Sequence, residues 1–178
     1  MIKENYNKIA VPEMRKKFGY KNDLAVPKII KVVVSTGLGS KKDDKEKMAN
    51  IEKSFSLITG QKAKINKAKK SIASFKLRQG MPIGYSVTLR GRQMYDFLDK
   101  LVNVAIPRVR DFRGLSPDLI DETGNLSVGF KEHIVFPEAT GDDIRSVFGL
   151  GATVVTSAKT KEKTLELLKL MGFPFSKK

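Results

Sequence analysis

The sequence contains no cysteine and only one histidine among its 178 residues. Without cysteine the chain has neither disulfides nor thiolate metal sites nor a thiol nucleophile, and one histidine cannot form a zinc cluster. Long apolar runs are missing too: no segment approaches the roughly 20 residues that span a bilayer. The first residues lack the apolar stretch of a secretory signal. These absences disfavour most enzyme classes and predict a soluble intracellular protein that holds no cofactor or metal.

Acidic residues are scarce relative to basic ones: 34 lysines and arginines face 19 aspartates and glutamates, which gives a net charge of +15. Such an excess indicates a polyanionic partner. The signs are also segregated, since residues 53–95 hold ten basic side chains and no acid, whereas residues 115–148 hold seven acids. Surfaces built only for solubility intersperse both signs. We therefore expect a phosphate-facing region at about 28–95 and a more acidic region at about 108–148, which either is simply solvated or contacts a basic protein.

The hydrophobic pattern predicts short strands interleaved with helices. Polar and apolar residues alternate in several strands, and the helices and strands follow no regular βα rhythm, which favours an antiparallel sheet. No linker or repeat divides the chain. The prediction is a single α+β domain, residues 1–178, with a mainly antiparallel sheet and helices packed on one face. Helices are predicted at about 6–19, 43–60, 92–105 and 165–171 and from about Gly141, and extended segments at 28–36, 63–67, 74–78, 84–90, 126–130, 134–136 and 152–157.

Two motifs carry little chemistry. The run from Ser35 to Lys41 places two glycines between a predicted strand and a helix, a context in which backbone amides can bind phosphate. Its spacing fits neither a P-loop nor a dinucleotide fingerprint, so a tight turn is the better interpretation. His133 has no second imidazole or thiol to work with, and we interpret it as a structural or surface residue.

A basic stretch gives stronger evidence, and it points to nucleic-acid binding. Between Gly60 and Ser71 cationic residues alternate with small ones, which delivers several charges with little steric bulk. Next, Gly80, Pro82 and Gly84 predict a turn or protruding loop, whose basic and polar residues are Lys76, Arg78 and Gln79. This segment is either an ordinary hairpin or a basic finger that lies against a folded nucleic acid. Phe75 and Tyr85 either stack on bases or pack in the core.

Several long motifs in order resemble bacterial-type large-subunit ribosomal protein five, the family that binds 5S rRNA. The resemblance runs nearly from end to end. It rests on Gly60-Gln61-Lys62 through Lys69-Lys70-Ser71, on residues 75–84, on Val87-Thr88-Leu89-Arg90-Gly91, on residues 106–115 and on Gly172-Phe173-Pro174-Phe175. The chain departs from the usual family pattern at Ser35-Thr36, Lys64 and Asn66.

The resemblance implies an α+β fold whose sheet docks on 5S rRNA in the central protuberance of the large subunit, beside 23S rRNA and neighbouring large-subunit proteins. It also implies a loop that approaches P-site tRNA. The rRNA-facing residues would be Ser35, Gln61, Lys62, Lys64, Asn66, Lys69, Lys70, Thr88, Arg90 and Arg92. The tRNA-contacting loop would present Phe75, Lys76, Arg78, Gln79 and Gly80.

The same resemblance implies a bridge to small-subunit protein thirteen, through Arg110, Asp111, Arg113, Asp142 and Asp143. The expected function is thus structural, non-catalytic and cytoplasmic, within the ribosome and away from membranes. Two alternatives stay open from the residues alone. One is a nucleotide-dependent enzyme that acts on nucleic acid through the loop at 37–41, and the other is a general basic binder of nucleic acid or membrane surfaces.

Overall fold

The computed structural model describes residues 1–39, 44–139 and 147–176. The strands within these ranges form one five-stranded sheet in the order β2-β3-β1-β5-β4. Their bounds are β1 Ile29–Gly37, β2 Lys64–Lys67, β3 Pro82–Leu89, β4 Leu126–Phe130 and β5 Leu150–Thr156. The β-branched run in β1 predicts a central strand, and β1 does lie in the middle of the sheet.

The pairing is antiparallel, as predicted. In β2 and β3, Lys64 faces Ser86 and Asn66 faces Gly84, so residue numbers rise along one strand as they fall along the other. At the two ends of the β1–β5 pair, Ser157 Oγ accepts a hydrogen bond from Lys28 N, and Thr36 Oγ1 donates to Gly149 O. Along this pair too, residue numbers rise in one strand as they fall in the other. The antiparallel sheet with its helices confirms the predicted α+β class.

The α-helices in the described part of the chain number five, and their ends follow local chemistry. Asp44 caps the long α3 by accepting from Glu46 N and Lys47 N, and Gly60 ends it in the left-handed conformation that glycine adopts most readily. The hydrogen bonds to Asp44, above all those from Lys47, lower the pKa of its carboxyl. The helices are α1 Ile2–Asn5, α2 Val11–Phe18, α3 Lys45–Thr59, α4 Gly91–Lys100 and α5 Lys161–Leu170, with π-helical turns at Tyr6–Ala10 and Leu101–Ala105.

The described residues group into two compact units. The first contains Met1–Val32, Leu89–Val128 and the chain from Thr153 onward; the second contains Val33–Thr88 and Gly129–Ala152. In the first unit, α4 contributes the buried Met94, Phe97 and Leu98. In the second, α3 contributes the buried Ile51, Phe55 and Ile58. Each unit thus has an apolar interior built from a helical stripe, and the single domain expected from the sequence stays a prediction.

Two predicted strands are wrong. Residues 74–78 do not extend, because the chain turns back through a 3₁₀ turn at Ala73–Phe75. Residues 134–136 also fall in a turn, where Phe136 N donates to His133 O and the Phe136 ring packs edge-to-face on Phe130. The apolar spacing there reflects a buried turn and not a strand. The predicted helix from Gly141 lies outside the described residues.

His133 is a buried structural residue, as interpreted from the sequence. Its ring stacks on Phe148 with 4.0 Å between ring centroids, and its Nδ1 accepts a hydrogen bond from Phe148 N. Within the described ranges, no helix combines the length and the apolar character that crossing a membrane requires.

Candidate nucleic-acid interface

One face of the sheet is polar and open in the second compact unit. Alternation along β3 buries Tyr85, Val87 and Leu89 on one side and leaves Ser86 and Thr88 half-exposed on the other. Opposite residues in an antiparallel pair share a face, so Lys64 of β2 projects on the side of Ser86. We call this side the open face.

Short polar groups cover the open face. Asn66 Oδ1 accepts a hydrogen bond from Ser86 Oγ at 3.1 Å, which fixes the amide on the sheet surface. In β1, Val34 and Thr36 are buried while Ser35 between them is exposed, so Ser35 emerges on the open face as well. Hydroxyl and amide groups this short can donate to and accept from a ligand while its backbone comes close to the sheet.

A row of lysines runs along and beyond the β2 edge. These residues are exposed, and none forms an ion pair with any other described residue. Ala63 and Ala68 lie between lysines of this row and are buried, so the backbone is anchored while the ammonium groups stay in solvent. We call the row the basic edge: Lys62, Lys64, Lys67, Lys69 and Lys70.

The loop after the basic edge is a protruding hairpin. At its base Ala68 N donates to Met81 O and Gly80 N donates to Ala68 O. Nearer the tip, Ile72 and Leu77 exchange both backbone hydrogen bonds. Gly80, with φ of +86°, therefore lies at the base, whereas the glycine and proline pattern predicts it in the turn itself.

The tip of the hairpin is the four-residue turn from Ala73 to Lys76. Lys76 adopts a left-handed conformation there, with φ of +49°, and the Phe75 side chain is 66% exposed. Arg78 and Gln79 are also exposed, on the returning arm. The loop thus presents an aromatic ring and several cationic or polar groups, the set that binds structured RNA.

Tyr85, the second candidate for base stacking, is a core residue. Only 2% of it is exposed, and its hydroxyl donates to Met48 O of α3. Burial, reinforced by the negative charge of Glu52, raises the pKa of Tyr85. The phenol therefore stays neutral and packs inside the second unit, so the stacking alternative is wrong for this residue.

The remaining predicted rRNA residues are divided between the units. Gln61 is exposed just before the basic edge and belongs with it. Arg90 and Arg92 lie in the first unit, where both are exposed; Arg92 pairs with Asp96 at 3.6 Å. The open face and the basic edge therefore bring together Ser35, Gln61, Lys62, Lys64, Asn66, Lys69, Lys70 and Thr88.

Two residues of this surface are missing from the sequence-based set. Ser86 holds Asn66 in place, and Lys67 continues the basic edge. The alternation of β3 already placed Ser86 beside Thr88, and Lys67 lies inside the acid-free window, so both signals were present in the sequence. The sequence did not give the strand register, which decides which residues share a face.

The glycine motif at 35–41 is described as far as Gly39, and it leaves the sheet after Gly37. Gly37 is the last residue of β1, and Leu38 N donates to Ile83 O. An amide engaged in this way cannot also bind a nucleotide phosphate. Lys41 lies outside the described residues, as do Asp142 and Asp143.

Comparison with known proteins identifies the family of the chain. Residues 22–78 match the family described as Ribosomal protein L5, and residues 82–175 match the model for the C-terminus of the same ribosomal family. The chain belongs to the ribosomal protein L5 family. It is 52% identical over 176 residues to the large ribosomal subunit protein uL5 of Halothermothrix orenii and 51% identical to that of Alkaliphilus oremlandii, covering 99% of this chain and 98% of each relative. The uL5 protein of Thermoanaerobacter sp. is 48% identical.

Membership in the ribosomal protein L5 family fits the absence of catalytic constellations in the sequence. Proteins of this family are structural components and not enzymes. The nucleotide-dependent enzyme considered from the sequence is therefore wrong.

Proposed function

We propose that this protein is a cytoplasmic constituent of the large ribosomal subunit that binds 5S rRNA through the open face and the basic edge. Family membership and the uL5 relatives support the assignment to the large subunit. The observation that supports RNA binding most directly is the basic edge, whose exposed lysines have no carboxylate partner within the described chain.

Burying such charges against phosphate releases counterions from the RNA, which is the main electrostatic gain in nucleic-acid binding. The short side chains of the open face add a second element. Ser35, Asn66 and Thr88 can hydrogen-bond to ribose hydroxyls and phosphate oxygens without holding the RNA away from the sheet. Binding then depends on the shape of the RNA as well as its charge, which favours a folded RNA over a general polyanion.

A competition experiment tests the proposal. The full chain is bound to labelled 5S rRNA at moderate salt and challenged with unlabelled 5S rRNA or with duplex DNA of equal phosphate content. Shape recognition predicts that 5S rRNA displaces the label at concentrations at least tenfold below those of DNA. Equal displacement by both competitors would contradict shape recognition and would mean that the protein is a general basic binder.

We further propose that the hairpin loop contacts P-site tRNA. Its tip carries the exposed Phe75, and Arg78 follows on the returning arm. An aromatic ring on a nucleobase contributes about 1–3 kcal/mol to binding. Ribosomes reconstituted with Phe75→Ala should therefore bind P-site tRNA about 5- to 150-fold more weakly, as measured by filter binding. Arg78→Gln, which removes a cation that can contact a phosphate, should weaken the same binding about fivefold.

The control for this measurement is Lys159→Gln, an exposed charge in the other compact unit. It should leave tRNA affinity unchanged. A loss in the control equal to that of Arg78→Gln would mean that the hairpin makes no particular contact. Incorporation of each variant into the subunit, quantified on the same ribosomes, separates a lost tRNA contact from failed assembly.

The contact with small-subunit protein thirteen remains part of the proposal. The resemblance gives this contact to Arg110, Asp111, Arg113, Asp142 and Asp143, of which Arg110, Asp111 and Arg113 are described and exposed. Partners in the large subunit, 23S rRNA and neighbouring proteins, follow from the proposed location.

A further inference from the structure

The returning arm of the hairpin loop, residues 77–81, donates a hydrogen bond from each of its backbone amides. Four of the acceptors are oxygens: Leu77 N donates to Ile72 O, Gln79 N to Ser71 Oγ, Gly80 N to Ala68 O and Met81 N to Arg78 O. The fifth acceptor is sulfur, since Arg78 N donates to Met81 Sδ at 3.2 Å. A thioether is a weak acceptor, so the Arg78 amide makes the weakest hydrogen bond of the arm.

Arg78 and Met81 close a turn with two hydrogen bonds between them. One is the thioether contact, and in the other Met81 N donates to Arg78 O at 3.1 Å. The thioether therefore fixes the backbone of a residue whose side chain is exposed on the arm. A change in the chemistry of this one sulfur would act directly on the conformation of Arg78.

Met81 is also within reach of small molecules in solvent. Its side chain is only partly buried. Three other methionines, Met14, Met94 and Met171, are at most 2% exposed. A thioether sulfur has two lone pairs, so the one that accepts from Arg78 N leaves the other able to react. A small oxidant can therefore attack Met81 while it spares the three buried methionines.

We propose that Met81 is a site of reversible oxidation, at which a peroxide converts the thioether to a sulfoxide and releases the backbone of Arg78. The sulfur attacks one oxygen of hydrogen peroxide: the S–O bond forms, the O–O bond breaks, and the proton of the transferred oxygen moves to the departing oxygen, which leaves as water. Sulfur loses two electrons and the peroxide gains them. A dithiol reverses the step in a reductase, becoming a disulfide while the sulfoxide oxygen leaves as water.

The sulfoxide cannot keep the present contact. An N–H···O hydrogen bond spans about 2.9 Å, so an oxygen bonded to the sulfur does not fit between two atoms that lie 3.2 Å apart. The sulfur must move away from Arg78 N, and the sulfoxide, which is polar, turns toward solvent. Arg78 then loses an anchor on the arm that we propose contacts tRNA. That last consequence rests on the proposed function, whereas the oxidation and the release of the amide do not.

The experiment compares the free full chain before and after treatment with hydrogen peroxide. The tryptic peptide 79–90, in which Met81 is the only methionine, should gain one oxygen. Methionine sulfoxide reductases supplied with a dithiol should remove it. Amide hydrogen exchange, followed by NMR, should be about two- to fivefold faster at Arg78 in the oxidised chain, the effect of losing one weak hydrogen bond. Reduction should restore the slower exchange.

Two leucine variants separate Met81 from the other accessible methionines. Met81→Leu keeps the volume of the side chain but has no sulfur, so exchange at Arg78 should be fast before treatment and unchanged by peroxide. Met48→Leu replaces another partly buried methionine of the same compact unit. It should leave Arg78 as sensitive to peroxide as in the unchanged chain.

Three results would overturn the proposal. The first is a peptide 79–90 that stays unoxidised while Met48 is oxidised. The second is exchange at Arg78 that does not change when Met81 is fully oxidised. The third is exchange in Met81→Leu that still accelerates with peroxide, which would assign the effect to another residue.

The functional consequence is measured separately, on ribosomes reconstituted with the oxidised chain after peroxide has been removed. They should bind P-site tRNA about twofold more weakly, because the arm is less rigid, and reduction of the chain before reconstitution should restore binding. Affinity for 5S rRNA should not change, since neither the open face nor the basic edge includes a methionine. If exchange at Arg78 accelerated while tRNA binding stayed the same in these ribosomes and in those with Arg78→Gln, the tRNA contact would fail and the oxidation site would stand.

Discussion

Replacing four lysines of the basic edge, all except Lys67, by glutamine is expected to weaken 5S rRNA binding about a hundredfold at moderate salt. Each lysine that contacts a phosphate contributes through counterion release, so the loss is cumulative. The slope of log affinity against log salt should fall by about 3, since each lost contact removes about 0.7–0.9. The measurement is a salt titration of RNA affinity on both proteins.

A control of equal charge change decides whether position matters. It replaces four exposed lysines of the first compact unit, Lys3, Lys8, Lys21 and Lys159, by glutamine. Both variants lose the same net charge, so a long-range electrostatic effect would weaken them alike. We expect less than about a fivefold loss in the control. Equal losses in the two variants would mean that net charge alone, and not the basic edge, binds the RNA.

The sequence predicts well those elements whose determinants are local. Asp44 and Gly60 mark the ends of α3, and strict alternation identifies β3. The first helix shows the limit. It was expected near Tyr6, yet helical structure begins at Ile2, because the Asp99 carboxylate accepts a hydrogen bond from Ile2 N at 2.9 Å. A cap supplied by a side chain 97 residues away leaves no local signal.

The strand predicted within the hairpin loop was wrong for a related reason. Residues 74–78 have strand-like composition, but Ile72 and Leu77 pair with each other and leave only four residues to reverse the chain. That closure forces a 3₁₀ turn and the left-handed Lys76. Pairing partners, and not the propensities of the residues, decide the conformation of such a short segment.

For the candidate site, composition alone predicted the lysines, whereas the polar residues that accompany them depend on the strand register. An acid-free window was sufficient to select the lysines of the basic edge. Which polar residues accompany Lys64 depends on its pairing with Ser86 in β3. A shift of one residue would move Ser86 to the buried face, so the open face could not be assembled from the pattern of either strand alone.

Gly124→Ala is expected to lower the free energy of unfolding by about 3–5 kcal/mol, through left-handed strain and overpacking together. Gly124 has φ of +87°, and an added Cβ would lie 2.4 Å from Ala158 O and 2.6 Å from Thr164 Oγ1. The carbonyl of Gly124 also accepts hydrogen bonds from the hydroxyls of Thr156 and Thr164, at 2.7 and 2.9 Å. The turn thus connects to β5 and α5 in the first unit and cannot move aside without breaking buried bonds.

Gly19→Ala is the matched control, because Gly19 is also left-handed, with φ of +69°, but an added Cβ would meet nothing within 4 Å. It should cost only the conformational strain, about 1–2 kcal/mol. In thermal unfolding the two variants should differ by roughly 5–10 °C at this chain length. A Gly124 variant no less stable than the Gly19 variant would mean that the turn relaxes freely. The packing of Thr156 and Thr164 around the Gly124 carbonyl would then contribute little to the stability of the first unit.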